Sequence, residues 1–182
     1  MKQHVPDFKL LIVGEDDPRA HTSHGSYSNE LKTLTRELGL SEHVLFTGFR
    51  SDMPAFMEAC DIFTMPSFEE PFGMVYLEAM AHSKPVITLN NGGSREVVEH
   101  GLTGLLSEYR DIEGLANNII TLIRDPNLRA EMGKRGREKV ESYYTPDRLA
   151  SDVLSIYNEI LSPDRQSQPD DHAFINHPAP GR

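Results

Sequence analysis

The chain has 182 residues and 38% hydrophobic content, enough for one buried core with tails rather than two domains. Its 28 acidic residues outnumber its 18 lysines and arginines, giving a net charge of -10, which argues against a broad nucleic-acid footprint or an anionic-membrane surface and leaves only a local anion site. A single cysteine, Cys60, excludes an intramolecular disulfide framework, the start "MKQHVPDFKL" lacks an apolar leader, and the apolar runs are too short to span a bilayer, so a cytoplasmic setting is expected.

The first apolar run, "FKLLIVG" (Phe8 to Gly14), has strand length and ends at a glycine. After a polar loop, "SNELKTLTRELG" puts Leu31, Leu34 and Leu38 on one helical face and stops at Gly39. The alternation then repeats: "HVLFTG" (His43 to Gly48) before "SDMPAFMEA", "DIFTMPS" (Asp61 to Ser67) before "GMVYLEAMA", and "PVITLN" (Pro85 to Asn90) before "SREVVEH". Parallel strands need such crossovers, so the fold class is α/β, a doubly wound parallel sheet. A short fifth strand is expected in "GLTGLLS".

Three helices follow. Leu115, Ile119 and Leu122 share one face and Leu149, Val153 and Ile156 another; these faces are expected to pack on the sheet or on a partner, with Pro126 and Pro146 at helix starts. Residues 1–161 are thus read as one domain. The tail 162–182, rich in proline and polar residues, is expected to be disordered, and its His172 and His177 lack ligand spacing, so no metal is assigned.

Open α/β sheets bind ligands at the carboxyl ends of their strands, which directs attention to the loops. Gly14 and Gly48 close their strands. In "PSFEEPFG", Pro66 and Pro71 fix the path and Gly73 opens the next helix, whose free N–H groups attract phosphate. "NNGGSRE" offers Gly92, Gly93 and an expected N-cap at Ser94, although glycines there equally make an ordinary turn. Glu78 lies in the apolar run Met74 to Ala81, so its helix is expected to be largely buried and its carboxylate to need partners. An edge position, an internal ion pair or a ligand diol would each meet that need. Glu70 sits on the preceding loop, so the two acids could hold separate parts of one elongated ligand. Glu96 is read as a first-turn acid serving the helix dipole, ahead of a donor contact, Arg50 as a solvated cation or a positive charge at the cleft, His82 as a packing or surface residue rather than a base, and "KRGREK" (Lys134 to Lys139) as a solvated helical face.

The segment Met65 to Leu106 resembles the donor-binding segment of the family 4 retaining glycosyltransferases, or glycosyltransferase group 1. The marks are Glu70 and Glu78 separated by seven residues, the "EAMA..KPVI" run and the "GG..E" loop, with "KLLIVG", "VLFTGF" and "DIFTMPS" matching in order, so that Phe8 to Tyr157 is covered. The resemblance implies a GT-B architecture of two facing Rossmann-like domains, of which this is the C-terminal one, binding a nucleoside diphosphate sugar and needing no other cofactor. Carried over by position, Glu70 would face the donor sugar near its reacting carbon as the catalytic residue. Glu78 would bind the ribose. Gly73, Met74 and Val75 would meet the diphosphate, Ser67, Pro71 and Phe72 would line the same site, and Gly48, Phe49 and Arg50 would form the base pocket.

Family members open this domain with a further strand bearing an arginine, followed by a lysine. This sequence starts past that point and lacks the acceptor domain, whether part of the same chain or a partner, through which any membrane contact would pass. The isolated chain is therefore expected to be catalytically silent. Ser83 stands where the family commonly has glycine, and serine suits that position only if the turn needs no positive φ. A sugar-nucleotide 2-epimerase on the same architecture and a non-catalytic sugar-nucleotide-binding or scaffolding module are the alternatives.

Overall fold

The structure, a computed structural model, describes residues 5, 7–16, 26–68 and 70–162. The tail beyond Ser162, with His172 and His177, lies outside the described residues. Two compact units are present, one running to Ser142 and one from Tyr143.

In the first unit the order is β1 (Leu10–Val13), α1 (Tyr27–Glu37), β2 (Val44–Gly48), α2 (Met53–Ala59), β3 (Phe63–Thr64), α3 (Met74–Ala81), β4 (Val86–Leu89), α4 (Ser94–Val97), β5 (Gly104–Ser107), α5 (Ile112–Arg124) and α6 (Pro126–Tyr143), whose last residue opens the second unit. All strand pairs are parallel, and the fold is the expected α/β alternation, including the fifth strand. The strands form two sheets, β1-β2 and β3-β4-β5, instead of a single continuous one, because no hydrogen-bonded ladder joins β1 or β2 to β3. β3 is shorter than "DIFTMPS" suggests. Met65 still donates to Ile87 (3.1 Å), but Pro66 has no N–H with which to continue the ladder.

The core sits on the three-stranded sheet. All four β4 residues are buried, and Ile87, Leu105, Leu122 and Met132 cluster with Leu115, Ile119 and Leu128 packed around them. Each fully buried aliphatic side chain contributes roughly 1.5–3 kcal/mol. The α5 face read from periodicity is therefore the one that packs. By contrast, α1 has no buried residue, and Leu34 and Leu38 are exposed although they share the expected face. Its ends follow the sequence signals, with Ser26 accepting from the Asn29 amide at 3.2 Å and Gly39 turning the chain at φ 63°.

α6 begins at Pro126, where Asp125 accepts from the amides of Asn127 and Leu128 at 3.1 and 2.9 Å. Gly133 and Gly136 are buried and bring α6 against the end of α3: a Cβ at 133 would meet Ser83 and one at 136 would meet Met80. In the second unit, α7 (Pro146–Leu161) starts at Pro146 behind the Thr145 cap and buries no residue, so Leu149, Val153 and Ile156 are exposed rather than packed. Among the described residues no helix is long and apolar enough to cross a membrane.

Candidate functional site

The loops after β3 and β4 lie at the carboxyl ends of adjacent strands, the usual ligand-binding end of an open α/β sheet. Gly73 is the N-cap of α3 and adopts φ 86°, ψ 56°, where an added Cβ would strike the Tyr76 ring at 2.2 Å. Only glycine satisfies both conditions. The first amides of α3, at Met74 and Val75, have no intrahelical acceptor and carry the positive end of the helix dipole. Met74 is exposed and Val75 half-buried.

Glu78 takes an edge position, one of the readings its sequence leaves open. α3 buries Tyr76, Leu77, Ala79 and Met80, yet Glu78 is exposed, so its charge needs no internal partner. The physical reason is helical spacing: Met74 and Glu78, four residues apart, share the one face of α3 that its neighbours do not cover. Glu70 is half-buried on the loop, and its carbonyl accepts the Gly93 amide at 2.9 Å. Ser67 donates its amide to Met65 at 2.9 Å, and Pro71 and Phe72 lead into Gly73. The structure thus gathers Glu70, Pro71, Phe72, Gly73, Met74, Val75 and Glu78 on one loop and helix, with Ser67 just upstream.

The "NNGG" loop has a different structural role from a second anion cradle. A Cβ at Gly92 would stand 2.6 Å from the Glu70 carbonyl oxygen, and one at Gly93 would stand 2.4 Å from that of Pro71. These glycines permit backbone to lie on backbone. Ser94 is not the N-cap: Gly93 occupies that position, and the buried Ser94 hydroxyl lies 3.4 Å from both Tyr76 Oη and Thr88 Oγ1. α4 is a single turn of four residues, too short for a substantial dipole, with Glu96 in it as expected. Sequence reasoning missed Tyr76, Thr88 and Asn91. The Asn91 amide is inaccessible and has no hydrogen-bond partner among the described residues, an exception to the general pairing of buried polar groups.

Gly48, Phe49 and Arg50 stand at the end of β2, in the other sheet. Gly48 has φ 69° with open space where a Cβ would point, and Phe49 is 70% exposed. Arg50 is neither merely solvated nor held free: its Nε and Nη2 donate to the two Asp52 carboxylate oxygens at 2.8 and 2.7 Å, and it stacks over Phe56 at 5.3 Å. The hydrogen bond from Arg50 holds the Asp52 carboxyl below its usual range. Two shallow hollows line α1 and β2, and neither includes a residue of the loops after β3 and β4.

Ser83 has φ 57°, so the turn after α3 does require the left-handed conformation in which glycine is unstrained. His82 caps the end of α3. In the basic run, Lys134, Arg135 and Arg137 make exposed i,i+4 pairs with Glu138, Glu131 and Glu141, as a solvated face should. Lys139 departs from that reading, donating to the Val97 carbonyl at 3.0 Å and pairing with Glu99 at 2.7 Å.

Comparison with known proteins gives this geometry a family. Residues 1–139 match the model for glycosyl transferases group 1. N-acetyl-alpha-D-glucosaminyl L-malate synthase of Bacillus anthracis is 35% identical over 89% of this chain, which spans 40% of that protein. The crystal structure of Anabaena HepE in complex with UDP, a protein 32% identical, superimposes with a TM-score of 0.79 over 86% of this chain and 42% of its own. The C-terminal domain of the group 1 protein LpcC from Francisella tularensis, 28% identical, does so with a TM-score of 0.71 over 80% of this chain and 74% of its own. The chain spans about two fifths of the curated relatives it matches. It belongs to the group 1 glycosyltransferases, proteins of the GT-B architecture.

Proposed function

We propose that this chain is the nucleotide-sugar-binding, C-terminal part of a family 4 retaining glycosyltransferase that transfers a hexosyl group from a nucleoside diphosphate sugar to an acceptor. The observation that carries the reading is the start of α3, where the left-handed Gly73 cap puts the Met74 and Val75 amides at the helix N-terminus, with Glu70 on the loop before them and the exposed Glu78 one turn beyond Met74. The amides and helix dipole would hold the diphosphate, Glu78 the ribose hydroxyls, and Glu70 the donor sugar. Gly48, Phe49 and Arg50 would border the base, with Ser67, Pro71 and Phe72 shaping the sugar end.

In the reaction, the anomeric carbon–oxygen bond breaks and its electron pair leaves with the diphosphate. The acceptor oxygen bonds to that carbon on the same face and gives its proton to the departing diphosphate oxygen. Negative charge develops on the diphosphate at the α3 N-terminus, and positive charge develops on the sugar near Glu70, so both groups favour the transition state over the ground state. The complex of the similar HepE with UDP makes uracil the base to try first. A cytoplasmic setting is part of the proposal, in keeping with the single free thiol, Cys60.

The isolated chain is proposed to bind donor without turning it over, because the remaining three fifths of its relatives would supply the acceptor site. Calorimetric titration with UDP-glucose, GDP-mannose and ADP-glucose, alongside Glu78→Ala, tests the reading. Saturable binding of one donor that is lost in the variant supports it. Absence of binding at millimolar donor by a folded chain overturns the claim that these residues form a working site.

A further inference from the structure

Three hydroxyl groups to which the donor-binding reading gives no role lie wholly inside the protein beneath the Glu70 loop. Tyr76, Thr88 and Ser94 are all fully buried. The Ser94 hydroxyl lies 3.4 Å from Tyr76 Oη, Tyr76 Oη lies 2.9 Å from Thr88 Oγ1, and Thr88 donates to the Met65 carbonyl at 3.0 Å. Tyr76 also reaches that carbonyl, at 3.2 Å. A single direction of donation, from Ser94 through Tyr76 and Thr88 to Met65, lets each hydroxyl donate once.

The ends of this relay matter. Met65 is where the chain leaves β3 to become the Glu70 loop, and Tyr76 is in the first turn of the helix into which the loop runs. Ser94 begins α4, directly after the glycines whose backbone lies on Glu70 and Pro71. Between the two ends, the Gly93 amide holds the Glu70 carbonyl at 2.9 Å. The loop is thus fixed at its start, its middle and its end by the β4–α4 segment. Buried hydroxyls gain little net stability over apolar side chains of the same shape, but a fully bonded set specifies one geometry. That property matters for a group that must meet a reacting carbon within a fraction of an ångström.

We infer that Tyr76 is a positioning residue for Glu70, acting through Thr88, Ser94 and the Met65 carbonyl and together with the Gly93 clasp. The inference rests on the assignment of Glu70 to the donor sugar. Its test uses Tyr76→Phe, which keeps the ring beneath Gly73, and Thr88→Val, which keeps the shape of the side chain. Two readouts are taken on the folded chain: amide hydrogen exchange at Gly93, and calorimetric affinity for UDP and for UDP-glucose, each compared with the unsubstituted protein.

The expected result is exchange at Gly93 at least tenfold faster with the β4–β5 amides unchanged, UDP affinity within twofold, and at least a fivefold loss of the extra affinity that the glucose confers. Unchanged Gly93 protection in both variants would overturn the inference. So would an equal fall in UDP and UDP-glucose affinity, which marks a purely structural role. If the unsubstituted chain binds neither ligand, the donor-site reading fails by itself, and the exchange measurement alone decides whether the relay holds the Glu70 backbone.

Discussion

Gly133 lies directly against Ser83: a Cβ added to Gly133 would stand 2.0 Å from the Ser83 carbonyl oxygen. Both partners at this contact are backbone, so no side chain can swing aside. Gly133→Ala must push α6 away from the end of α3, and such overpacking costs about 2 kcal/mol or more. A fall in Tm of about 4–8 °C is expected for a chain of this length, read by calorimetry or circular dichroism.

Ser83→Gly should act in the opposite direction. Ser83 has φ 57°, a conformation that costs an L-residue roughly 1–2 kcal/mol, part of which is returned through the greater freedom of glycine in the unfolded chain. A net gain of about 0.5–1 kcal/mol is expected in a urea titration, with the m-value unchanged.

Glu78 separates stability from binding. Since Glu78 is exposed, Glu78→Gln should leave the unfolding free energy within about 0.5 kcal/mol of the parent. If the carboxylate accepts hydrogen bonds from a ligand diol, each charge-assisted bond is worth roughly 1.5–3 kcal/mol, and donor affinity should fall at least tenfold. A variant that is destabilised and unaltered in binding would assign Glu78 to the fold instead.

Cys60 offers a test of packing at the end of α2. Burial pushes its thiol above the ordinary range, against a smaller opposing pull from Lys84. The neutral thiol is therefore favoured in the folded state near pH 8, and an aromatic disulfide reagent should react about tenfold more slowly than with the urea-unfolded chain. The difference should narrow as pH rises through the raised pKa.

The alternation of strands and helices was legible because periodicity is a local property. The spacing of Leu115, Ile119 and Leu122 identified a face, and Pro126 and Pro146 marked the starts of α6 and α7. Which faces become covered was not legible, since that depends on partners distant in the chain. Leu34 and Leu38 occupy the expected helical face yet are exposed, and the choice among an edge position, an ion pair and a ligand for Glu78 could not be made from its own helix for that reason. The site motif was readable as a spacing of two acids. The reason for "GG" was not, because Gly92 and Gly93 answer to the backbone of Glu70 and Pro71, on a loop separated from them in the chain by α3 and β4. Ser94 looked like a cap because serine commonly is one; its hydroxyl has instead gone inward to Tyr76 and Thr88.

A helix that buries none of its residues is also a place that a protease can reach early. Opening α7 removes no buried side chain from the core, so local unfolding there should require little of the energy that holds β4 and α5 together. Brief digestion should therefore cut within residues 146–161, and by the same reasoning within α1, well before the body built on β3, β4 and β5, which would persist as a shortened, resistant fragment suited to crystallisation.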